Sequence, residues 1–171
     1  VLYNKKLYLV TNTGFFYAID ILKGEIYLEK DIQKPNKQSM ALNGSNLVMA
    51  GTDSLYCFTT NGDLVWNYSP GTSCTSSPQV ANGRVYVGAG DRIHAVDASN
   101  GAGVWTSFSA GGFTIFSSPR VSNGLVYFGG QDNYIYAANE SDGSLKWRYL
   151  TGDKVSYSSP LVYGGMCIVG S

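Results

Sequence analysis

The feature that most constrains this chain is a sequence repeat with a period of 41 residues. Pro78, Pro119 and Pro160 each follow a pair of serines, and successive prolines of this set are 41 residues apart. Self-similarity at a period of this size indicates a fold built from stacked supersecondary units, as in propellers and solenoids. Residues 161–171 match residues 1–11, so the chain contains four periods and about two additional strands.

Each period carries the pattern of four short antiparallel strands. The first strand begins after Ser-Ser-Pro and ends at a turn such as Asn82-Gly83, and an Asn-Gly pair between apolar runs is a strong hairpin signal. The second strand reads VYVG or VYFG, the third follows a turn with an aspartate, and the fourth carries a tryptophan. Four such strands in about 40 residues form one blade of a β-propeller, a period shared with WD-like repeats. We expect blades at approximately residues 1–37, 38–73, 74–114 and 115–156, with residues 157–171 beginning a fifth.

The composition agrees with a turn-rich all-β protein and argues against two kinds of partner. Glycine accounts for 21 of the 171 residues, and 12 Lys and Arg residues are balanced by 12 Asp and Glu residues. No block of like charge is present, so the chain lacks the electrostatic footprint of a nucleic-acid-binding protein. No run approaches the roughly 20 apolar residues of a membrane-spanning helix. We therefore expect neither nucleic-acid binding nor a membrane span.

The cysteine and histidine content does not predict a metal site. The three cysteines lack CxxC spacing, and His94 is the single histidine, whereas a structural zinc site needs about four clustered ligands. Cys57 occupies a position held by alanine in the other copies, and Cys167 falls in an apolar strand, so both are predicted to be buried. Cys74 is expected in a loop. The sequence leaves open whether two of the three form a disulfide.

Ala95, Asp97, Gly101 and Trp105 form a motif that resembles the tryptophan-docking motif of PQQ-like propeller repeats. This repeat occurs in quinoprotein alcohol dehydrogenases and in BamB-type outer-membrane assembly lipoproteins, and the resemblance covers the whole chain. It implies that each tryptophan packs against the neighbouring blade, where a large flat ring buries much apolar area. The docking residues that it implies are Trp66, Trp105 and Trp147, together with Gly62, Gly101 and Gly143.

The number of blades is predicted from the overlap between the two ends of the chain. In a closed four-bladed ring, residues 161–171 would duplicate strands that residues 1–11 already supply. We therefore expect an arc of a larger propeller with seven or eight blades, and further blades or domains in the same polypeptide fit this expectation. The resemblance also implies a periplasmic or extracellular location.

The residues that look like catalytic groups are explained by the repeat. Asp53, Asp91 and Asp132 occupy equivalent turns, where aspartate side chains cap nearby backbone groups. The serine pairs recur in the same way without a neighbouring base, so we interpret them as hydrogen-bonding residues at the start of a strand. His94 stands where other copies have tyrosine, and we interpret it as a packing residue with a polar tip. No catalytic residue is predicted.

Ligand contacts are expected in the linkers that connect each tryptophan strand to the next Ser-Ser-Pro strand. These segments differ between copies, and binding residues are commonly found on variable loops that a constant scaffold carries. In propellers such linkers gather at one end of the central channel. The predicted binding residues are Cys74, Thr75, Phe113, Ile115, Phe116, Lys154 and Tyr157.

These features favour a non-enzymatic propeller that acts as a protein-interaction or ligand-sensing scaffold and needs no cofactor. An alternative is a fragment of a quinoprotein dehydrogenase. For that alternative the resemblance implies pyrroloquinoline quinone, calcium, an acidic catalytic residue and, in many members, two adjacent cysteines, whereas this chain has no adjacent cysteine pair. A second alternative is a module that binds carbohydrate or another small ligand.

Overall fold

The computed structural model describes residues 1–35 and 38–171, and the regular elements within them are β-strands. The strands form four antiparallel sheets of four strands and one sheet of two strands. Neighbouring strands in each sheet are consecutive in the chain, so each sheet is a simple meander. No helix that is long and apolar enough to cross a membrane occurs in the described residues. We number the four-stranded sheets as blades 1 to 4 along the chain.

The strands of each blade are short and follow one another closely. Blade 1 contains β1 (Leu2–Tyr3), β2 (Lys6–Val10), β3 (Phe15–Asp20) and β4 (Ile26–Asp31). Blade 2 contains β5 (Ala41–Asn43), β6 (Asn46–Ala50), β7 (Leu55–Phe58) and β8 (Leu64–Tyr68). Blade 3 contains β9 (Gln79–Ala81), β10 (Arg84–Ala89), β11 (Arg92–Asp97) and β12 (Gly103–Thr106). Blade 4 contains β13 (Arg120–Ser122), β14 (Leu125–Gly129), β15 (Tyr134–Asn139) and β16 (Leu145–Leu150), and β17 (Leu161–Tyr163) pairs with β18 (Met166–Ile168).

The blade boundaries that the sequence suggests stay predictions. Those after residues 73, 114 and 156 lie in segments between strands of neighbouring sheets. The boundary after residue 37 lies outside the described residues.

The first two strands of blades 3 and 4 are joined by Asn-Gly turns. In blade 3, Asn82 and Gly83 connect β9 to β10 with φ angles of 50° and 74°. In blade 4, Asn123 and Gly124 connect β13 to β14 with φ angles of 52° and 74°. Two consecutive residues in the left-handed region match the twist of the flanking strands, which explains why this dipeptide recurs at the turn.

A β-bulge lies between the third and fourth strands of every blade, and a small residue stands opposite a large one beside it. The residue pairs that precede the bulge are Ala18 with Leu28, Cys57 with Trp66, Ala95 with Trp105, and Ala137 with Trp147. A bulge bends the strand and redirects its side chains. The small partner leaves room for the large side chain to lie across the sheet toward the next blade.

The hydrophobic core lies between blades. Val48 and Leu55 of blade 2 pack in one buried cluster with Val85 and Val87 of blade 3. The central strands β6, β10 and β14 are buried along nearly their whole length, because another blade covers each face of a propeller sheet. The inner strands β5, β9, β13 and β17 lie side by side, as expected for blades arranged around a propeller axis.

Tryptophans from the fourth strands connect successive blades. The Trp66 indole N–H donates to the Ala98 carbonyl of blade 3 at 3.1 Å, and the Trp105 indole N–H donates to the Glu140 carbonyl of blade 4 at 3.0 Å. A Cβ atom added to Gly101 would lie 2.8 Å from Trp66 Cε3. The indole therefore rests directly on the glycine backbone of the neighbouring blade, where no other side chain fits.

The remaining members of the predicted docking set have different surroundings. Gly143 lies against Trp105, because an added Cβ atom would be 2.5 Å from Trp105 Cε3. Gly62 lies against Lys30 and Phe16 of blade 1, because an added Cβ atom would be 3.1 Å from Lys30 Cδ and 3.4 Å from Phe16 Cδ1, and blade 1 has no tryptophan in its fourth strand. Trp147, on the outer strand of blade 4, is 37% exposed, compared with 7% for Trp66.

Candidate binding surface at the linkers

Serines at the start of the inner strands join successive blades. The second serine of each pair accepts a hydrogen bond from the backbone N–H of the equivalent serine one blade earlier. Ser77 Oγ accepts from Ser39 N at 3.0 Å, and Ser118 Oγ accepts from Ser77 N at 3.1 Å. Ser159 Oγ accepts from Ser118 N at 3.3 Å. The inner ends of the linkers are thus connected in a continuous row.

In two of the three pairs, the first serine forms a hydrogen bond within its own repeat. Ser76 Oγ accepts from Gly88 N at 2.8 Å, and Ser158 Oγ accepts from Gly170 N at 2.8 Å. Ser117 Oγ is buried and has no hydrogen-bond partner among the described residues. These contacts agree with the interpretation of the serines as strand-start residues, and they add a role between blades that the sequence did not reveal.

Two of the seven predicted binding residues have side chains that face the protein interior. Cys74 is buried in the cluster between blades 2 and 3, and its backbone forms a bridge to Ala89 rather than lying in an open loop. Burial raises the pKa of the Cys74 thiol to about 12, so it stays protonated. Ile115 is buried in the cluster between blades 3 and 4. The expectation that these two side chains are free to meet a ligand is corrected, because they anchor their linkers.

Thr75, Phe116 and Tyr157 occupy the same position of the repeat, directly before each serine pair. The Thr75 hydroxyl donates to the Ile115 carbonyl of the next linker at 2.6 Å. The Phe116 and Tyr157 rings lie 5.6 Å apart in a tilted pair. Tyr157 is 82% exposed and Phe116 is half-buried, so one ring of this aromatic pair is open to solvent although the pair sits on the inner ring of the blades.

Phe113 and Lys154 are exposed on the same two linkers. Phe113 lies three residues before Phe116 and is 49% exposed, and Lys154 lies three residues before Tyr157 and is also exposed. Five of the seven predicted residues have exposed or half-buried side chains, namely Thr75, Phe113, Phe116, Lys154 and Tyr157. We call these five residues the linker surface.

The recurrent turn aspartates bind tyrosine side chains as well as backbone. The Tyr56 hydroxyl donates to Asp53 Oδ1 at 2.6 Å, and the Tyr136 hydroxyl donates to Asp132 Oδ2. Burial and the adjacent carboxylates raise the pKa of both tyrosines. The prediction that these aspartates cap their own turns is therefore incomplete, because Asp53 and Asp132 also bind a tyrosine side chain three or four residues away.

Blade 3 departs from this pattern at Asp91 and His94. His94 replaces the tyrosine, and Asp91 instead accepts a hydrogen bond from the Ser109 hydroxyl, which lowers the pKa of the Asp91 carboxyl. The His94 ring is buried and its Nδ1 lies 2.9 Å from the hydroxyl of Tyr68 in blade 2. The polar tip expected from the sequence is present, and its partner belongs to the neighbouring blade.

A quinone cofactor of the dehydrogenase alternative would be accompanied by calcium, so clustered oxygen ligands are the feature to look for in the described residues. Calcium requires several oxygen ligands that converge on one point. In residues 1–35 and 38–171, no three His, Cys, Asp or Glu side chains come together in a group that could hold a metal ion. Asp53 and Asp132 are engaged by tyrosine hydroxyls, as described above.

Glu140 is a contact residue that sequence reasoning missed. Its carbonyl accepts from Trp105 and from Arg84 at 2.5 Å, and its carboxylate accepts from Asn82 at 2.8 Å and from Tyr86 at 3.1 Å. Four groups of blade 3 thus meet one residue of blade 4. The sequence did contain a clue to this role, because Glu140 stands at the position where blade 3 has Ala98, the carbonyl acceptor for Trp66.

Comparison with known proteins identifies similar folds at low sequence identity. The computationally designed Ika8 protein matches with a TM-score of 0.84 and 14% identity over 100% of this chain and 54% of that chain. BamB from Moraxella catarrhalis matches with a TM-score of 0.80 and 17% identity over 96% of this chain and 51% of that chain. The quinohemoprotein alcohol dehydrogenase of Comamonas testosteroni matches with a TM-score of 0.76 and 18% identity over 99% and 38%. The chain spans about half, or less, of the length of these structures.

The sequence also matches a family of proteins directly. The match covers residues 53–171, which is more than half of the chain, and the family is described as outer membrane protein assembly factor BamB. No curated protein sequence matches the chain. The all-β fold, the four-stranded blades and this match agree with one another, and the chain therefore belongs to the BamB family of PQQ-like propeller repeats.

Proposed function

We propose that this chain is a protein-binding scaffold of an extracytoplasmic compartment and that its linker surface contacts the partner. The observation that carries the proposal is the exposed Tyr157 ring on the inner ring of the blades, paired at 5.6 Å with the half-buried Phe116 ring. Exposed aromatic side chains on a constant scaffold are typical of interaction sites, because they bury a large area on binding and have few rotatable bonds. Phe113 extends the apolar part of this surface.

The support beneath the linker surface favours binding without rearrangement. The row of serine hydrogen bonds holds the start of each inner strand, and the Thr75 hydroxyl ties one linker to the next. Buried Ile115 and Val155 anchor the linkers from below. A preformed aromatic surface loses little conformational entropy when it meets a partner. The family described as an assembly factor for outer membrane proteins agrees with a protein partner and with this compartment.

Site-specific photo-crosslinking in intact cells tests this proposal. Benzoylphenylalanine placed at position 157 is expected to form an adduct with one defined polypeptide, which mass spectrometry identifies. Tyr27 provides a matched control, because it is a 65% exposed tyrosine on the outer strand of blade 1, away from the linkers. Equal adducts from positions 157 and 27, or none from position 157, would contradict the proposal.

The energetic contribution of the surface is tested with the partner identified in this way. Phe116→Ala combined with Tyr157→Ala removes the aromatic pair, and we expect binding to weaken by about 2 kcal/mol or more, which is roughly 30-fold. Tyr27→Ala should leave the affinity unchanged. Isothermal titration of the purified protein measures both.

We further propose that the protein functions without pyrroloquinoline quinone or calcium. The carboxylates of Asp53 and Asp132 accept hydrogen bonds from tyrosine hydroxyls, which supports this proposal. Titration of the protein with the quinone and calcium is expected to give no stoichiometric complex that absorbs visible light. A stoichiometric complex with dye-linked alcohol oxidation would support the dehydrogenase alternative instead.

A further inference from the structure

His94 is the one position at which the third strand of a blade departs from tyrosine. The equivalent residues are Tyr17, Tyr56 and Tyr136, and His94 is the single histidine of the chain. It lies on β11 of blade 3 with 6% of its surface exposed. A residue that breaks a repeat in a buried place is a candidate for a property that the other blades lack.

The imidazole of His94 forms a hydrogen bond across the interface between blades 2 and 3. Its Nδ1 lies 2.9 Å from the hydroxyl of Tyr68 on β8, and the two rings are 5.9 Å apart. The Thr106 hydroxyl approaches the same nitrogen at 3.4 Å. The Tyr68 ring also packs on the backbone of Gly103, where an added Cβ atom would lie 3.1 Å away. Tyr68 is thus held by blade 3 through His94 and through close packing.

The charged groups around His94 do not favour its protonated form. Arg92 lies two residues away on the same strand and contributes a positive charge. From blade 2, the groups that face this region are the Tyr68 hydroxyl and the Cys74 thiol, both uncharged, and the Asp53 carboxylate near Cys74. Asp53 is already bonded to Tyr56.

The aspartate turn of blade 3 carries Asp91, which accepts a hydrogen bond from Ser109 and lies 3.8 Å from Arg92 Nε. Within the described residues, no carboxylate makes a hydrogen bond or ion pair with His94. A buried imidazolium at this place would therefore lack a counter-charge, which is costly in a low-dielectric interior.

We propose that the contact between blades 2 and 3 is an acid-sensitive latch, closed by neutral His94 bonded to Tyr68 and opened when His94 takes up a proton. With neutral His94 in its Nε2–H tautomer, Nδ1 accepts a hydrogen bond from the Tyr68 hydroxyl. Protonation of Nδ1 reverses this hydrogen bond, so that Nδ1–H donates to the Tyr68 oxygen, and it leaves a buried positive charge that faces Arg92 without a counter-charge, which favours opening of the contact. Tyr68 begins the linker that leads to Cys74 and Thr75, so opening loosens one edge of the linker surface. This last step rests on the proposed function, and the latch itself does not.

The direction of the pH effect follows from the burial of the imidazole. Burial, and secondarily Arg92, lowers the pKa of His94 below its ordinary value of 6.5. Below pH 6.5 the unfolded or opened form binds a proton that the closed form excludes, so the closed form loses stability as pH falls. The loss begins near pH 6.5 and ends at the lowered pKa. Across that window the equilibrium constant for opening rises by up to about tenfold per pH unit.

Two measurements on the intact protein test the latch. Because His94 is the single histidine, the NMR signal of its Hε1 ring proton is assigned without ambiguity, and it is expected to titrate below pH 6.5. Hydrogen exchange of residues 68–75 is expected to accelerate between pH 6.5 and the His94 pKa, after correction for the intrinsic pH dependence of exchange. An ordinary pKa with unchanged corrected exchange would overturn the proposal.

A matched variant separates titration of His94 from general acid effects. His94→Gln keeps a side chain that can bond Tyr68 but cannot take up a proton, so the acid-dependent exchange should disappear. Persistence of the acid effect in this variant would overturn the latch. Tyr68→Phe, which keeps the ring and removes the hydroxyl, should raise hydrogen exchange of residues 68–75 already at pH 7.5. This second variant tests the latch if His94→Gln does not fold. Loss of partner binding without these changes would concern the linker surface alone.

Discussion

The interface between blades 1 and 2 has the same backbone arrangement as the interface between blades 2 and 3, but it is filled by different side chains. Between blades 2 and 3, Trp66 lies on Gly101 and donates its indole N–H to the Ala98 carbonyl. Between blades 1 and 2, Leu28 takes the place of the tryptophan and has no group to donate. The comparison shows which part of the docking motif the fold requires and which part adds strength.

The first interface replaces the indole with two smaller contacts. Leu28 packs with the buried Phe16 and Leu47, and the Lys30 ammonium lies 2.6 Å from the Asp63 carboxylate beside it. Gly62 is retained at the docking position, but the atom nearest to an added Cβ would be Cδ of the Lys30 side chain, at 3.1 Å. The small residue, the bulge and the glycine are thus sufficient to set the geometry of the blade, while the tryptophan adds buried area and one hydrogen bond.

The largest expected effect comes from breaking the stronger interface. Trp66→Ala removes a side chain that is 7% exposed, together with its hydrogen bond to Ala98, and we expect it to lower the free energy of unfolding by about 3–5 kcal/mol. Trp147→Ala, at 37% exposure, serves as the control and should lower stability much less. Urea unfolding measures both. Equal losses from the two variants would show that docking on the next blade contributes little.

A methyl group on the docking glycine is expected to have the next largest effect. Gly101→Ala places a Cβ atom 2.8 Å from the Trp66 ring at a φ of 77°, so we expect a loss of about 1–3 kcal/mol. Gly24→Ala tests the equivalent position of blade 1, where φ is 70° and no atom lies within 4 Å. The difference between the two variants in thermal unfolding isolates the contact with the indole. A similar loss in both would assign the whole effect to the backbone angle.

A gain is expected when the weaker interface is converted to the stronger type. Leu28→Trp restores the motif in blade 1, and the flexible Lys30 side chain beside Gly62 is able to move aside for the ring. We expect the free energy of unfolding to rise by about 1 kcal/mol, as for an added aromatic contact. A loss of stability in urea unfolding would mean that Phe16 and Lys30 already fill the site.

The smallest effect is expected at the ion pair of the first interface. The Lys30 ammonium stabilises the ionised Asp63 carboxyl and lowers its pKa, but both side chains are exposed to solvent and salt. Asp63→Asn should therefore cause a slight fall in melting temperature at low ionic strength and none in 1 M salt, where charges are screened within about 3 Å. A salt-independent fall would indicate that the hydrogen bond from Lys30 matters more than the charge.

The sequence predicted the fold well because the repeat constrains every blade in the same way. The Asn-Gly turns, the aspartate turns and the spacing from glycine to tryptophan each depend on residues close together in the chain, where backbone angles and strand alternation dominate. Assignment of the family followed from the motif at Ala95, Asp97, Gly101 and Trp105, which the match over residues 53–171 supports.

The candidate site was predicted less completely. Variation between the linkers identified the right segments but gave no information on which side chains turn inward, so Cys74 and Ile115 were expected among the ligand contacts. Their orientation depends on whether the neighbouring blade offers an apolar space, which no local pattern encodes. Glu140 was missed for the same reason, since its four partners lie about 35 to 58 residues away.

The sequence by itself determined the period, the four strands of each blade and the residues that make the turns, because these depend on neighbours within a few positions. Only the tertiary structure decided what each blade contacts. Serine hydroxyls proved to join successive blades, and Tyr68 proved to be the partner of His94. Tyr157 proved to be exposed beside the half-buried Phe116. These contacts arise where two blades meet, and that geometry is fixed by packing between residues about 40 positions apart.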